Sequence, residues 1–195
     1  MSNGVLIVEP LPSLVELEQS AIEIDSAVAK DYAPSRRREF LAWRTIVRRV
    51  LGEGVELGYN AVGAPVVVGG GRYVGVSHSG NAVAVVLSDE PCAVDIEPIG
   101  RDVGRVIRRI ATDAELALSD SRLLPLVLWC AKECLYKLAG LESIDFQRDI
   151  VIREVDFDKG VLRGSICNSE EVRLKMEIRH DNMVITNVAD CSKVG

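Results

Sequence analysis

What the chain lacks narrows its role first. No apolar run approaches the roughly 18 residues that a membrane-crossing helix needs, and the start, Met1 to Pro10, has no basic segment followed by an apolar one. Neither a membrane span nor a signal peptide is expected. Positive charge is not in excess: 23 Lys and Arg stand against 29 Asp and Glu, a net charge of -6. That excludes the basic field of a nucleic-acid binder. Only two histidines are present, and the five cysteines (Cys92, Cys130, Cys134, Cys167, Cys191) are odd in number and irregular in spacing. They suit neither a disulfide framework nor a zinc set, and are expected to be small buried thiols. There is no internal repeat and no low-complexity tract. A Gly-x-x-x-x-Gly-Lys-Ser/Thr loop, a Gly-x-Gly-x-x-Gly fingerprint and a Gly-x-Ser-x-Gly elbow are all missing, which removes P-loop, Rossmann and elbow-hydrolase readings. A cytoplasmic protein is expected.

What is present suits a folded domain. The 195 residues are 48% hydrophobic and 27% charged, enough to bury a core in one ordinary domain or two small halves. Val5–Val8 reads as a strand, and Leu14 to Lys30 has helical spacing in an acidic stretch. Charge then reverses: residues 36–49 hold Arg36, Arg37, Arg38, Arg44, Arg48 and Arg49 against Glu39 alone. Phe40, Trp43, Val47, Val50 and Leu51 recur at helical spacing, so this is an amphipathic helix ending near Gly52. Arg37, Arg44 and Arg48 share a narrow stripe beside its apolar face. Two readings of that stripe stay open, a solvated basic face or an anion cradle. Tyr73–Ser77 and Ala82–Leu87 read as a hairpin turned at Ser79-Gly80-Asn81, with Gly and Asn free to take positive φ. Cys92–Glu97 is a further strand. Thr112-Asp113-Ala114-Glu115 is a capping box. A helix is expected from about Pro125 to Ala139, stopped by Gly140. Ile150 to Val188 reads as three or four antiparallel strands. Strands and helices do not alternate strictly, so the class is α+β.

Three places carry chemistry. Asp95 and Glu97 lie two apart on a strand and leave the same face, while Val94 and Ile96 point into a core. Two close carboxylates repel unless a cation lies between them; acids on the wet side of a strand are the plainer alternative. On the helix 126–139, Trp129, Glu133 and Lys137 make one stripe at four-residue spacing. Glu133 and Lys137 suit a surface ion pair, but the apolar residues around the rest of the helix favour a stripe that lines a cleft. His78, between Ser77 and Ser79, is either a hydrogen-bonded structural residue or a group that grips an anion. Together these suit a polyphosphate ligand.

Three segments in this order resemble the 4'-phosphopantetheinyl transferase superfamily, in its longer Sfp-like group: Val76-Ser77-His78-Ser79, Ala93-Val94-Asp95-Ile96-Glu97, and Trp129-Cys130-Ala131-Lys132-Glu133-Cys134-Leu135-Tyr136-Lys137. The last is similar to the family's W-x-x-K-E-x-x-x-K signature. The resemblance implies an α+β fold of two similar halves related by a pseudo-two-fold, expected here as 1–97 and 98–195, and a monomer. It implies a holo-acyl-carrier-protein synthase: the phosphopantetheine arm of coenzyme A moves to a serine of an acyl or peptidyl carrier protein, releasing adenosine 3',5'-bisphosphate. Asp95, Glu97 and Glu133 would hold Mg2+. Glu133, or a water it orients, would be the general base, and Lys137 would neutralise the pyrophosphate. His78 and Arg44, helped by Arg37, would grip the 3'-phosphate, with Ser77 on a phosphate. The chain departs from the family at Ala93, where a Gly is usual, and at Gly63-Ala64-Pro65, where Gly-Lys-Pro is frequent. An acidic carrier docking on an acidic chain needs a local basic patch, for which Arg101, Arg105, Arg108 and Arg109 are the candidates. The rival readings are a metal-dependent phosphohydrolase of nucleotides or coenzyme A, and a non-catalytic module that binds coenzyme A or a carrier.

Overall fold

Strand β5 (Ala82–Ser88) is buried along its whole length, and its alternating side chains go to two different cores. In the computed structural model, which describes residues 3–141, 143–188 and 190–191 (the side chains of 3, 190 and 191 excepted), Val83, Val85 and Leu87 face three helices. These are α1 (Leu14–Ser20), α2 (Glu23–Ala29) and α3 (Pro34–Leu51). Ala82, Ala84 and Val86 face a second sheet. β5 is flanked antiparallel by β1 (Asn3–Pro10) and β4 (Tyr73–His78), and β11 (Asp190–Cys191) pairs parallel with β1, giving the order β11-β1-β5-β4. A separate hairpin joins β2 (Leu57–Tyr59) and β3 (Pro65–Val67).

The second sheet has the order β6-β10-β9-β8-β7 and is antiparallel throughout. Its strands are β6 (Val94–Pro98), β7 (Ile150–Asp156), β8 (Val161–Ile166), β9 (Val172–Arg179) and β10 (Asn182–Thr186). Val94, Ile96 and Val184 meet the first sheet, while Met183 and Ile185 face α4 (Gly104–Ile110), α5 (Asp113–Leu116) and α6 (Leu124–Ala139). The layers are therefore helices, sheet, sheet, helices. The seam between the sheets is Leu6, Val8, Ala82, Ala84, Val86, Val94, Ile96, Val184 and Val188, all buried. The small residues let the sheets approach closely. Gly75 on β4 shows how closely: a Cβ there would lie 3.0 Å from the Ala93 Cα, just before β6.

Each sheet is built by the same sequence of moves. A strand (β1 or β6) is followed by three helices. The last strand of the block (β5 or β10) then returns antiparallel beside the first, with its predecessor (β4 or β9) on its other side. The α+β class, the Gly140 stop (φ 57°), the Thr112 capping box and four strands after Ile150 all match the sequence reading. No described helix is long and apolar enough to cross a membrane.

Four expectations change. The helical stretch from Leu14 is two helices, because the Ser20 hydroxyl bonds the Glu16 and Leu17 carbonyls and Ala21 and Ile22 turn extended. The hairpin turn does not use positive φ at Gly80 or Asn81; Ser79 closes it, its hydroxyl donating to Asn81 Oδ1 and accepting from the Ala82 amide. The arginine stripe is not a solvated face: Arg44 and Arg48 are buried. The cysteines are not uniformly buried. Cys130 and Cys134 are, Cys92 is half-buried and Cys167 is exposed; the Cys191 side chain lies outside the described residues.

Candidate active site

The acids of β6 and the stripe of α6 face each other. Val94 and Ile96 fill the inter-sheet seam, which turns Asp95 and Glu97 toward α6. Trp129 Nε1 donates to Glu97 Oε1 at 3.1 Å, and Lys137 Nζ donates to Asp95 Oδ1 at 2.6 Å. Helix and strand thus run in opposite directions across the site. The anchored helix residues Trp129 and Lys137 are eight apart, a rise of about 12 Å, against about 6.7 Å for the two strand residues, and Glu133 lies midway between them along the helix. No ion pair or hydrogen bond from a described residue reaches Glu133. Burial, and after it the charge of Asp95, raises its carboxyl pKa, while Lys137 and Arg101 pull it down.

Asp95 is buried and half-satisfied. Its Oδ1 accepts from Lys137 and from Ser77 Oγ (2.9 Å), and Ser77 Oγ in turn accepts from Lys137 Nζ (3.0 Å) and the Ile96 amide (3.3 Å). Asp95 Oδ2 is buried without a hydrogen-bond partner. The Cys130 thiol, a weak donor, lies against the same carboxylate, which together with burial keeps that thiol protonated. An ionised oxygen left bare inside a protein is costly. Asp95 and Glu133 are the residues here whose chemistry could hold a hard divalent ion. Glu97 shares the face, but its Oε1 is held by Trp129 and Arg101. As the side chains stand, no group of three His, Cys, Asp or Glu among the described residues is gathered tightly enough to hold a metal.

The first half contributes Ser77 and His78 at the end of β4. Burial, and next the Lys137 charge, lower the His78 pKa to about 4, against a hydrogen bond to the Glu39 backbone; its Nε2 is buried without a partner. Arg44 lies elsewhere on α3. Its guanidinium packs on Phe40 (4.0 Å), Trp43 (4.5 Å) and Tyr59 (5.6 Å), 3.9 Å from Asp25 Oδ1, and its Nε is buried and unpartnered. Arg37 pairs with Glu18 of α1. A cavity of about 870 Å³ adjoins the site, walled by the β2–β3 hairpin, Val74–Val76, Cys92, Ala93, Lys137 and Gly140. That is within the range of small-molecule pockets. Arg72 and Lys137 are the cations on its wall.

Sequence reasoning missed the pin under the site. Lys132, next to Glu133, is fully buried and spends its three N–H groups on Glu115 Oε1 (2.8 Å), Phe146 O (2.8 Å) and Ile150 O (2.6 Å). Glu115 also accepts from the Ile152 amide and caps α5 at Thr112. The signals available were a lysine on the apolar side of a helix and its place as the first Lys of the W-x-x-K-E-x-x-x-K pattern.

Comparison with known families adds the following. Residues 91–186 match the model of the 4'-phosphopantetheinyl transferase superfamily. It contains Asp95, Glu97, Glu133 and Lys137, but not Ser77, His78 or Arg44. The superfamily carries out phosphopantetheinyl transfer, uses coenzyme A as substrate and generally a divalent metal, and acts on carrier proteins. No curated protein matches the chain.

Proposed function

We propose that this protein transfers the 4'-phosphopantetheine arm of coenzyme A to a serine hydroxyl of an apo acyl or peptidyl carrier protein, in the presence of Mg2+, releasing adenosine 3',5'-bisphosphate. The observation that carries this reading is the buried Asp95 carboxylate, one oxygen of which lacks a hydrogen-bond partner, acting on Glu133 within the span that matches the superfamily model. Asp95 and Glu133 would hold Mg2+, with Glu97 as the third candidate; when bound, the ion supplies charge neutralisation at the pyrophosphate. Glu133, or a water it orients, takes the proton of the carrier serine; its raised pKa makes it a better base than an ordinary carboxylate. Lys137 presents positive charge beside Asp95 and on the cavity wall, where the departing phosphate develops its charge.

The cavity would take part of the coenzyme, with Lys137 as the residue it shares with the acidic site. Ser77 and His78 approach a phosphate from the β4 side, and His78 would take up a proton as that anion arrives. Arg44 and Arg37 serve as the remaining anion contacts only if they turn from their present partners. The two-half, Sfp-like arrangement is supported by the repeated strand–helices–returning-strand connectivity, whose second unit begins with β6 (Val94–Pro98), a few residues before the 97/98 division expected from the sequence. Because Ser77 and His78 come from one half and Glu133 and Lys137 from the other, one chain completes the site, which fits a monomer. Arg101, Arg105, Arg108 and Arg109 are exposed on and before α4 and offer the basic patch for an acidic carrier, a contact that should weaken with salt.

The test is mass spectrometry of several apo carrier proteins after incubation with the protein, coenzyme A and Mg2+. Addition of one phosphopantetheine to at least one carrier is expected. No addition across the panel, or release of phosphopantetheine without a carrier, would overturn the reading.

A further inference from the structure

Glu97, like Asp95, carries two protein donors on a single oxygen, but its donors differ in kind. Oε1 accepts from the Trp129 indole at 3.1 Å and from the Arg101 guanidinium, and the same guanidinium lies over the Trp129 ring, 4.8 Å from its centroid. A turn puts Arg101 there. Pro98 ends β6, the Arg101 amide bonds the Pro98 carbonyl (2.9 Å), and the Ile99 amide is tied to Asp181 O (3.0 Å). Glu97 is mostly covered, with a side-chain exposure of 12%, whereas Arg101 keeps 39%. Arg101 therefore closes the outer end of the acidic stripe as Lys137 closes the inner end. Its charge also acts on Glu133. The two are not alike: Lys137 spends all its donors inside the protein, on Ser77, Val94 and Asp95, while Arg101 is free to swing into solvent.

We propose that Arg101 is a resident counter-ion that holds Glu97 in place of a divalent cation, so that metal affinity is set by competition between Arg101 and the ion for the Glu97 carboxylate. This rests on the metal site of the proposed function. When the ion enters at Asp95 and Glu133, the guanidinium leaves Glu97, keeps its place over the Trp129 ring or moves outward, and the freed carboxylate joins the ion. Glu97 therefore contributes little to affinity while Arg101 is present, and much when it is absent. A simple loss of positive charge near the site would tighten binding equally whether or not Glu97 is there, so the coupling between the two residues is the diagnostic quantity.

The experiment measures Mn2+ binding by electron paramagnetic resonance of the free ion, with no coenzyme or carrier, for the wild type, Arg101→Gln, Glu97→Gln, the double variant and Glu133→Gln. Thermal melting checks that each is folded. Arg101→Gln should bind Mn2+ about fivefold or more tightly, the size of one unit charge removed at a few ångströms in a wet setting. Glu97→Gln should weaken binding about twofold in the wild type and about tenfold in the Arg101→Gln background. Unchanged or weaker binding in Arg101→Gln, or equal effects of Glu97→Gln in both backgrounds, would overturn the competition while leaving the metal site standing if Glu133→Gln still loses the ion. A wild type that takes up no Mn2+, or binding indifferent to Glu133→Gln, overturns the metal site and the competition with it. Mg2+ titration gives a second readout: Trp129 emission should shift in the wild type and not in Arg101→Gln.

Discussion

The two long helices of this molecule are built alike and used differently. α3 begins on Pro34 and α6 carries Pro125 at its second position; both end at a positive-φ glycine (Gly52, Gly140) and lie against the buried inner strand of their own sheet. Each buries a long cation against an acid from the short helix before it. Arg48 of α3 grips Asp25 with both nitrogens (2.6 and 3.0 Å) and adds the Glu53 and Val55 carbonyls. Lys132 of α6 grips Glu115. The buried pair is thus a construction device common to both helical layers and says nothing of chemistry. What separates them is the charge left over. Around α3 the surplus is positive and leans on aromatic rings. Around α6 it is negative, with three acids against Lys137 and Arg101 and one buried oxygen unmet. Function is to be sought where the charge account does not close.

That contrast can be broken by substitution. Lys132→Met leaves Glu115 buried without its cation and should cost about 3–5 kcal/mol of stability; denaturant melts would show it, and Lys132→Met with Glu115→Gln should recover part. Glu133→Gln, one residue on, should leave the melting temperature unchanged or raise it, since it removes a charge that burial and Asp95 disfavour, yet lower carrier modification about 100- to 1000-fold. A drop in both would erase the distinction between pin and site. Asp25→Asn should destabilise by about 3 kcal/mol with transfer per folded molecule unchanged; loss of transfer at full stability would place Arg44 and Arg48 in the chemistry after all.

The smallest effect is that of pH on His78. The unfolded imidazole takes up its proton near pH 6.5 and the folded one only near 4. Between those values the unfolded state binds more protons, so stability is complete above about 6.5 and falls toward 4, by at most about 3 kcal/mol spread over that range. His78→Gln should flatten that slope in acid melts.

Much of this was legible in the sequence because it depends on local rules. Alternation in Val94–Glu97 gave the face of the acids, four-residue spacing gave the α6 stripe, and Thr112 and Gly140 gave helix ends. The convergence of Asp95 with Lys137 came only with the family signature, since periodicity says which side a residue faces and not what stands opposite. The same limit hid Arg48–Asp25 and Lys132–Glu115, pairs separated by 23 and 17 residues with nothing at either position to announce the other. It hid Arg101 too, which sits in an aperiodic turn and read as part of a docking surface. The break at Ala21 escaped because Ser20 bonds its own helix, a choice that spacing does not record.

The alanines between the sheets carry a last consequence. Ser77 lies beside Ala84 in the β4–β5 ladder, and its hydroxyl must reach across to Asp95 on the other sheet. The width of that gap is fixed by methyl groups that touch no ligand. A bulkier side chain at Ala84 would act as a shim, lengthening the reach of Ser77 and loosening Lys137 in turn, so turnover could drift between relatives through changes of one or two carbons deep in the interior, with every polar residue left as it is.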